Sequence, residues 1–311
     1  MKFKKPKFWD YKKPNFVSYL LLPFVYLMNL INFFNKKEKI ITDKIKTICV
    51  GNIYVGGTGK TPISIKINKI LNNLNIKTAF VKKKYADQFD EQKILSSHGK
   101  LFCEKERSDA LKKAIDEEID VAILDDGLQD NKMIYNTTFV CFNIQNWIGN
   151  GLCLPSGPLR ESLENLKKYD AVFLNGNGEE INEIENIIKN IKPNIEIFKA
   201  EYILLDMKKI DLNQNYLAFS GIGNPDSFIK TLKKNKFLIV KNLKFPDHYS
   251  YSNKDISKIK NIAKDLKAKI ITTEKDYNRL SETDSEGIEY LKVELNISNE
   301  EKLINFLKNK I

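Results

Sequence analysis

The chain has 311 residues, 42% hydrophobic and 29% charged, so it can bury a sizeable core, and wholesale disorder is excluded. Fourteen Gly and nine Pro exclude a collagen-like or linker-dominated chain, and the formal net charge of +11 favours an anionic partner. Only three basic residues are Arg (Arg107, Arg160 and Arg279), so a general drift toward Lys, Asn and Ile explains the charge equally well.

The N-terminus carries an apolar segment, Phe16 to Phe34, about long enough to span a bilayer. Lys2, Lys4, Lys5, Lys7, Lys12 and Lys13 precede it, and Lys36, Lys37 and Lys39 follow. Positive charge on both flanks gives no orientation and suits a segment lying in the headgroup region. Trp9, Tyr11 and Tyr19 then read as interface aromatics; the alternative is a helix buried in a soluble core. No small-residue cleavage site follows, which disfavours a signal peptide.

From Lys46 onward, short apolar runs alternate with helical patterns. Strands are expected at 46–52, 77–83, 121–126, 138–143 and 171–176, with helices at 62–74 and 108–118. A second series has strands at 215–222, 236–242 and 268–276 and helices at 227–234 and 253–266. The segment 177–214 joins the halves. Strands alternating with helices imply a parallel sheet with helices on both faces.

Cys49, Cys103, Cys141 and Cys153 are scattered without a CxxC pair, which argues against a disulfide scaffold or structural zinc. Only two His, His98 and His248, are present, too few for a His-rich metal site.

The strongest chemical signal is the turn Tyr54-Val55-Gly56-Gly57-Thr58-Gly59-Lys60-Thr61, between a buried strand and a helix. Glycines let the backbone approach phosphates, and a helix N-terminus presents N–H groups and a positive dipole. Lys60 would meet the β/γ-phosphates and the Thr61 hydroxyl would ligate Mg²⁺. The usual pattern has a first Gly where this chain has Tyr54. An ordinary Gly-rich strand–helix turn is the plainer reading. The strand at 121–126 ends in Asp125 and Asp126, which fits a Mg²⁺-holding acidic strand end or a solvated turn.

Several segments in order resemble the tetraacyldisaccharide 4'-kinase family of the lipid A pathway: VGNIYVGGTGKTP (50–62), DDGLQ (125–129), NGLCLPSGPLRES (150–162), GIGNPDSF (221–228), FPDHYSY (245–251) and TTEKD (272–276). The family's phosphate loop itself lacks the first Gly. Two departures stand out. Lys82-Lys83-Lys84-Tyr85-Ala86 replaces a Ser-Arg-Gly-Tyr-Gly segment, and Asp130 replaces the His that closes DDGxQH.

The resemblance implies a phosphate-loop α/β fold with a smaller second α/β subdomain and an N-terminal membrane-associated helix. The expected division is 1–45 for that segment, 46–214 for the nucleotide-binding domain and 215–311 for the smaller subdomain. It also implies ATP and Mg²⁺ as cofactors and the 4'-hydroxyl of a tetraacyldisaccharide 1-phosphate as acceptor. Asp90, within Phe89-Asp90-Glu91-Gln92, is then the candidate base, although a solvated loop carboxylate is the plainer reading of the residues alone.

His248 would support Asp90, and Arg107 and Arg160 would contact phosphate, unless each Arg caps a helix or pairs with Glu106 or Glu161. Glu274, Lys275 and Asp276 would end a strand and close over the nucleotide, or form an ordinary turn. Expected partners are the lipid A disaccharide precursor and an anionic membrane surface, at the cytoplasmic face of the inner membrane, with no nucleic acid and a monomeric state. A membrane-associated ATPase or GTPase and a degenerate nucleotide-binding scaffold are the rival classes.

Overall fold

The computed structural model describes residues 5–34, 44–85, 89–130, 132–176, 180–205, 210–223, 225–247 and 249–311. The chain forms two units, one of residues 1–84, 95–201 and 295–311, the other of residues 85–94 and 202–294.

The first unit opens with a short turn of helix at Lys7–Asp10, followed by α1 (Phe16–Leu20) and α2 (Leu22–Phe34). The expected single segment is thus two helices that break at Leu21, and Pro23 sits in the first turn of α2, where its missing N–H costs nothing. Asn15 caps α1 by accepting from the Ser18 N–H. Phe16, Leu20, Phe24, Tyr26, Leu27, Leu30 and Ile31 are all at least half exposed, so these helices are not core helices. No helix among the described residues is long and apolar enough to cross a membrane.

Trp9 departs from its expected interface role. It is buried, donates its indole N–H to the Pro155 carbonyl at 3.0 Å, and accepts the Asn150 N–H on its own carbonyl at 3.0 Å. Gly149 permits this approach: its φ is +57°, and a Cβ there would lie 2.1 Å from the Trp9 carbonyl oxygen. Tyr11 and Tyr19 are exposed.

The eight-stranded sheet of this unit contains β1 (Lys46–Gly51), β2 (Thr78–Lys83), β3 (Leu101–Glu104), β4 (Val121–Asp125), β5 (Thr137–Asn143), β6 (Ala171–Asn175), β7 (Glu196–Leu204) and, from the far end of the chain, β12 (Val293–Ile297). Its order is β12-β7-β6-β5-β1-β4-β2-β3, and the pairings from β3 through β7 are parallel. Strands β4, β5 and β6 are buried along their whole length, as a strand covered on both faces requires.

Helices α5 (Arg107–Asp116) and α6 (Ile181–Ile191) cover one face through Ala110, Leu111, Ala114, Ile184 and Ile188. Helices α3 (Lys60–Asn73) and α11 (Glu300–Lys310) cover the other. On α3, Ile63, Ile67, Ile70 and Leu71 recur at helical spacing and are all buried. Phe306 of α11 packs edge-on against Phe139 and Phe198.

The second unit has a four-stranded sheet of order β11-β10-β8-β9, built from β8 (Asn215–Ser220), β9 (Leu238–Lys244), β10 (Lys269–Thr273) and β11 (Ile288–Leu291), all parallel. Helix α7 (Pro225–Lys234) covers one face with Phe228 and Leu232, and α8 (Asn253–Asp265) covers the other with Ile256, Ile259 and Ala263. Ser252 and Asp255 form a reciprocal capping box on α8. The expected strand 268–276 stops at Thr273, whose hydroxyl caps the short helix α9 (Glu274–Tyr277). A second short helix, α10, spans Glu282–Ser285.

The unit boundaries differ from the division at 214/215 expected from sequence. Residues 202–214 group with the second unit and 295–311 with the first. The cause is pairing over long sequence distance: β12 lies beside β7, and Phe306 packs on Phe139. Periodicity along the chain carries no record of such contacts.

Candidate active site

Strand β1 ends at Gly51, and residues 52–59 lead into α3. The buried Asn52 side chain donates to the Tyr54 and Gly56 carbonyls at 2.6 and 3.2 Å and folds the turn back on itself. Gly56 and Gly59 have φ of +136° and +84°, conformations that a side chain would strain. Gly59 is the N-cap of α3, so its first N–H groups face the turn.

The turn is braced from a second segment. Val55 N–H donates to the Pro158 carbonyl at 2.8 Å and Arg160 N–H to the Ile53 carbonyl at 2.6 Å. Asn175, at the tip of β6, donates to the Thr58 carbonyl. Buried Tyr54, which stands in place of the usual first Gly, donates its hydroxyl to Asp10 at 2.7 Å. Thr58 Oγ1 is buried with no hydrogen-bond partner among the described residues, and such atoms ordinarily have one.

Strand β4 lies beside β1, so its end brings Asp125 and Asp126 next to this turn. The two carboxylates have different surroundings. Asp126 takes a φ of +58° and meets Arg160 at 2.8 Å and Lys60 at 3.7 Å. Burial alone would raise its pKa; Lys60 and Arg160 outweigh burial and hold it below the usual carboxylate range. Asp125 is fully buried and meets Lys82 Nζ at 2.6 Å, with Ser64 Oγ at 3.5 Å. Thr61 sits half-buried on the first turn of α3.

Arg107 is buried at the start of α5 and donates to the Asp126 carbonyl and to Asp130 at 3.1 Å. These bonds tie it to the backbone just after β4 and to the Asp130 carboxylate that follows. Asp130, which departs from the family's His, supplies the anion that holds it. Gln129 links Arg160 at 3.0 Å to the Asn52 carbonyl and Glu161, both at 2.9 Å. The thiols here offer no nucleophile: burial pushes Cys49 and Cys141 far above the ordinary thiol range.

Asp90 lies in the second unit, on helix α4 (Phe89–His98) and not in a solvated loop, and it is buried. Arg279 meets its Oδ2 at 2.7 Å and Lys275 at 3.4 Å. Lys275 also meets Glu91 at 3.1 Å and Asp247 at 3.9 Å. Burial alone would lower the Lys275 pKa; Glu91, Asp247 and Asp90 together raise it.

Arg279 further donates to Asp276 at 2.8 Å and to the Gly221 carbonyl at 2.7 Å. Asp276, fully buried, accepts from the Gly221 N–H, Tyr251 and Thr273. Glu274 and Asp276 thus belong to α9 and do not end a strand, as the sequence had suggested. Arg279 was the functional-site neighbour that sequence reasoning missed, although its position three residues after Asp276 in a helical stretch is a readable signal. His248 lies outside the described residues.

Within the first unit the structure therefore gathers Tyr54 to Thr61, Lys60, Arg107, Asp125, Asp126 and Arg160 around one strand edge. Within the second it gathers Asp90, Lys275, Asp276 and Arg279. The LpxK family profile, described as tetraacyldisaccharide-1-P 4'-kinase, matches residues 17–311. A protein of Pelagibacter ubique (strain HTCC1062) named tetraacyldisaccharide 4'-kinase is 55% identical over 307 residues, covering 99% of this chain and 98% of that one. A protein of the same name from Rickettsia bellii (strain OSU 85-389) is 34% identical over 320 residues, covering 96% of each. The solved structure of LpxK from Aquifex aeolicus, described as in complex with ATP, shares the fold at a TM-score of 0.70 and 23% identity, over 94% of this chain and 99% of that one. The α/β architecture expected from sequence is borne out, and by profile and identity together the chain belongs to the tetraacyldisaccharide-1-P 4'-kinase family.

Proposed function

We propose that this chain transfers the γ-phosphoryl group of ATP to the 4'-hydroxyl of a tetraacyldisaccharide 1-phosphate, the lipid A precursor. One observation carries the reading. The Gly56–Thr61 turn opens a helix with Lys60, Arg160 and Asp126 converging beside it, in a chain of this kinase family.

The residues fit the nucleotide. Thr58 Oγ1 lacks a partner among the described residues, and a phosphate oxygen against the turn would satisfy it. Gly56 and Gly59 keep the turn open to close approach, and Lys60 and Arg160 supply positive charge. The oxygens near the turn are hard donors, Thr61 and Asp126 with Asp125 buried behind them, which suits Mg²⁺. Mg²⁺ would neutralise charge on the phosphates. Lys60 would hold the β/γ-phosphates; Arg160, which donates to Gln129, would meet the transferring group bidentately. Arg107 would act one step back, by fixing the Asp126 backbone. Asp90 would take the proton of the acceptor hydroxyl, with His248 in support.

The acceptor is amphiphilic, and the exposed apolar side chains of α1 and α2 support docking on an anionic membrane surface. The basic residues before α1 would add about 1 kcal/mol for each surface-near Lys. We place the protein as a monomer at the cytoplasmic face of the inner membrane. The test is transfer of radiolabel from [γ-³²P]ATP to the tetraacylated disaccharide, read by thin-layer chromatography. Product that forms with the native chain and disappears with Lys60→Ala is the expected result; labelled phosphate without labelled lipid would refute the acceptor.

A further inference from the structure

Lys82 and Asp125 form the most deeply buried ion pair among the described residues, with side-chain exposures of 1% and 0%. The sheet register dictates the pairing. Strands β2 and β4 run parallel with Val81 opposite Leu124, so the next residue of each points to the face covered by α3. Burying two charges costs several kcal/mol per ion before their attraction is counted, so such a pair is poor as a pure stabiliser. Lys82 is also the first of three consecutive lysines.

The pair divides the labour of two adjacent carboxylates. Asp125 has its charge answered by a lysine with no route to solvent. Asp126 is answered by Lys60 and Arg160, whose side chains are 15% and 28% exposed. Phosphate oxygens entering the turn would compete for those two cations and release Asp126. They would not reach Lys82, which is sealed beneath the strand tips.

We propose that Lys82 is a positioning residue that neutralises Asp125 and keeps it from direct ligation, leaving Asp126 and Thr61 as the direct protein contacts of the divalent cation that accompanies the nucleotide. The proposal rests on the reading of the Gly56–Thr61 turn as a Mg²⁺–nucleotide site. It makes the tuning of cation affinity a matter of net carboxylate charge at the strand end.

The probe is Mn²⁺, titrated by electron paramagnetic resonance in the presence of a nonhydrolysable ATP analogue. Three variants are compared with the native chain. Lys82→Met, which releases the Asp125 charge, is expected to bind Mn²⁺ several-fold more tightly. The double variant Lys82→Met/Asp125→Asn removes no net charge and is expected within about threefold of native affinity, while Asp126→Asn is expected to lose about tenfold or more. A double variant as weak as Asp126→Asn overturns the proposal, as does a folded Lys82→Met with unchanged or weaker affinity. Should Lys82→Met alone not fold, the double variant decides. Binding of a fluorescent ATP analogue in EDTA separates the two levels. Its failure with the native chain refutes the nucleotide site itself, and its success with an unchanged Mn²⁺ series refutes only the role of Lys82.

Discussion

Two clusters of carboxylates and cations organise this molecule, one in each unit, and they are built differently. Around Asp126 the cations Lys60 and Arg160 retain partial access to solvent. Around Asp90 and Asp276 the central cation, Arg279, is almost fully buried and also grips the Gly221 carbonyl. The first arrangement can trade partners with an entering anion at little cost. The second is a rigid clamp that fixes a helix, a strand end and a carboxylate relative to one another. The cations for which an entering anion would compete are kept near water, and the cation that holds Asp90 and Asp276 in place is sealed.

That contrast can be broken in several ways. The largest effect is expected at the open cluster: Lys60→Ala should lower the initial rate of lipid phosphorylation by at least about 10²-fold, with an unchanged urea midpoint. A large loss of stability in that variant would contradict the exchangeable character of the site. Next, Arg279→Met should remove the cation that Asp90 and Asp276 share and destabilise the protein by about 3–5 kcal/mol, read by urea unfolding. A shift below about 1 kcal/mol would show that the clamp is no clamp.

On the surface of the first unit, Phe24→Ser with Leu27→Ser should weaken flotation with anionic vesicles about tenfold or more, since each exposed apolar side chain is worth about 1.5–3 kcal/mol when buried. Unchanged flotation would remove these helices from membrane docking. The smallest effect concerns pH. The Asp126 pKa is held low, so its contribution to stability is complete above the ordinary carboxylate pKa of about 4 and is lost as pH falls through its lower folded value. Asp126→Asn should therefore flatten the acid limb of the stability profile; an unaltered limb would mean that Lys60 and Arg160 do not favour the charged form.

The Gly56–Thr61 turn was legible because every cue is local: a buried strand, glycines, Lys60-Thr61 and a helical repeat follow in one stretch. The acidic strand end was legible for the same reason. The partners of those residues were not. Arg107 finds Asp126 and Asp130 across a helix and a strand, and only the sheet order makes them neighbours. Lys82 reads as one of three surface lysines until β2 is placed beside β4; strand alternation would then have pointed it inward. Trp9 looked like an interface aromatic because composition cannot distinguish a ring that lies on a surface from one that plugs a loop. Residues 295–311 fall with the first unit and not the second because Phe306 packs on Phe139 and Phe198, more than 100 residues earlier in the chain.

The seating of Trp9 has a practical corollary. Its carbonyl receives Asn150, its indole reaches Pro155, and nearby Asp10 receives the Tyr54 hydroxyl. The leading residues are therefore a keystone for the Gly56–Thr61 turn as well as the approach to α1. Truncating the chain before Phe16 would unseat the turn, and lost turnover in such a shortened protein would say nothing about lipid attachment. Point changes on the outward side of α1 and α2 leave the keystone in place and ask that question alone.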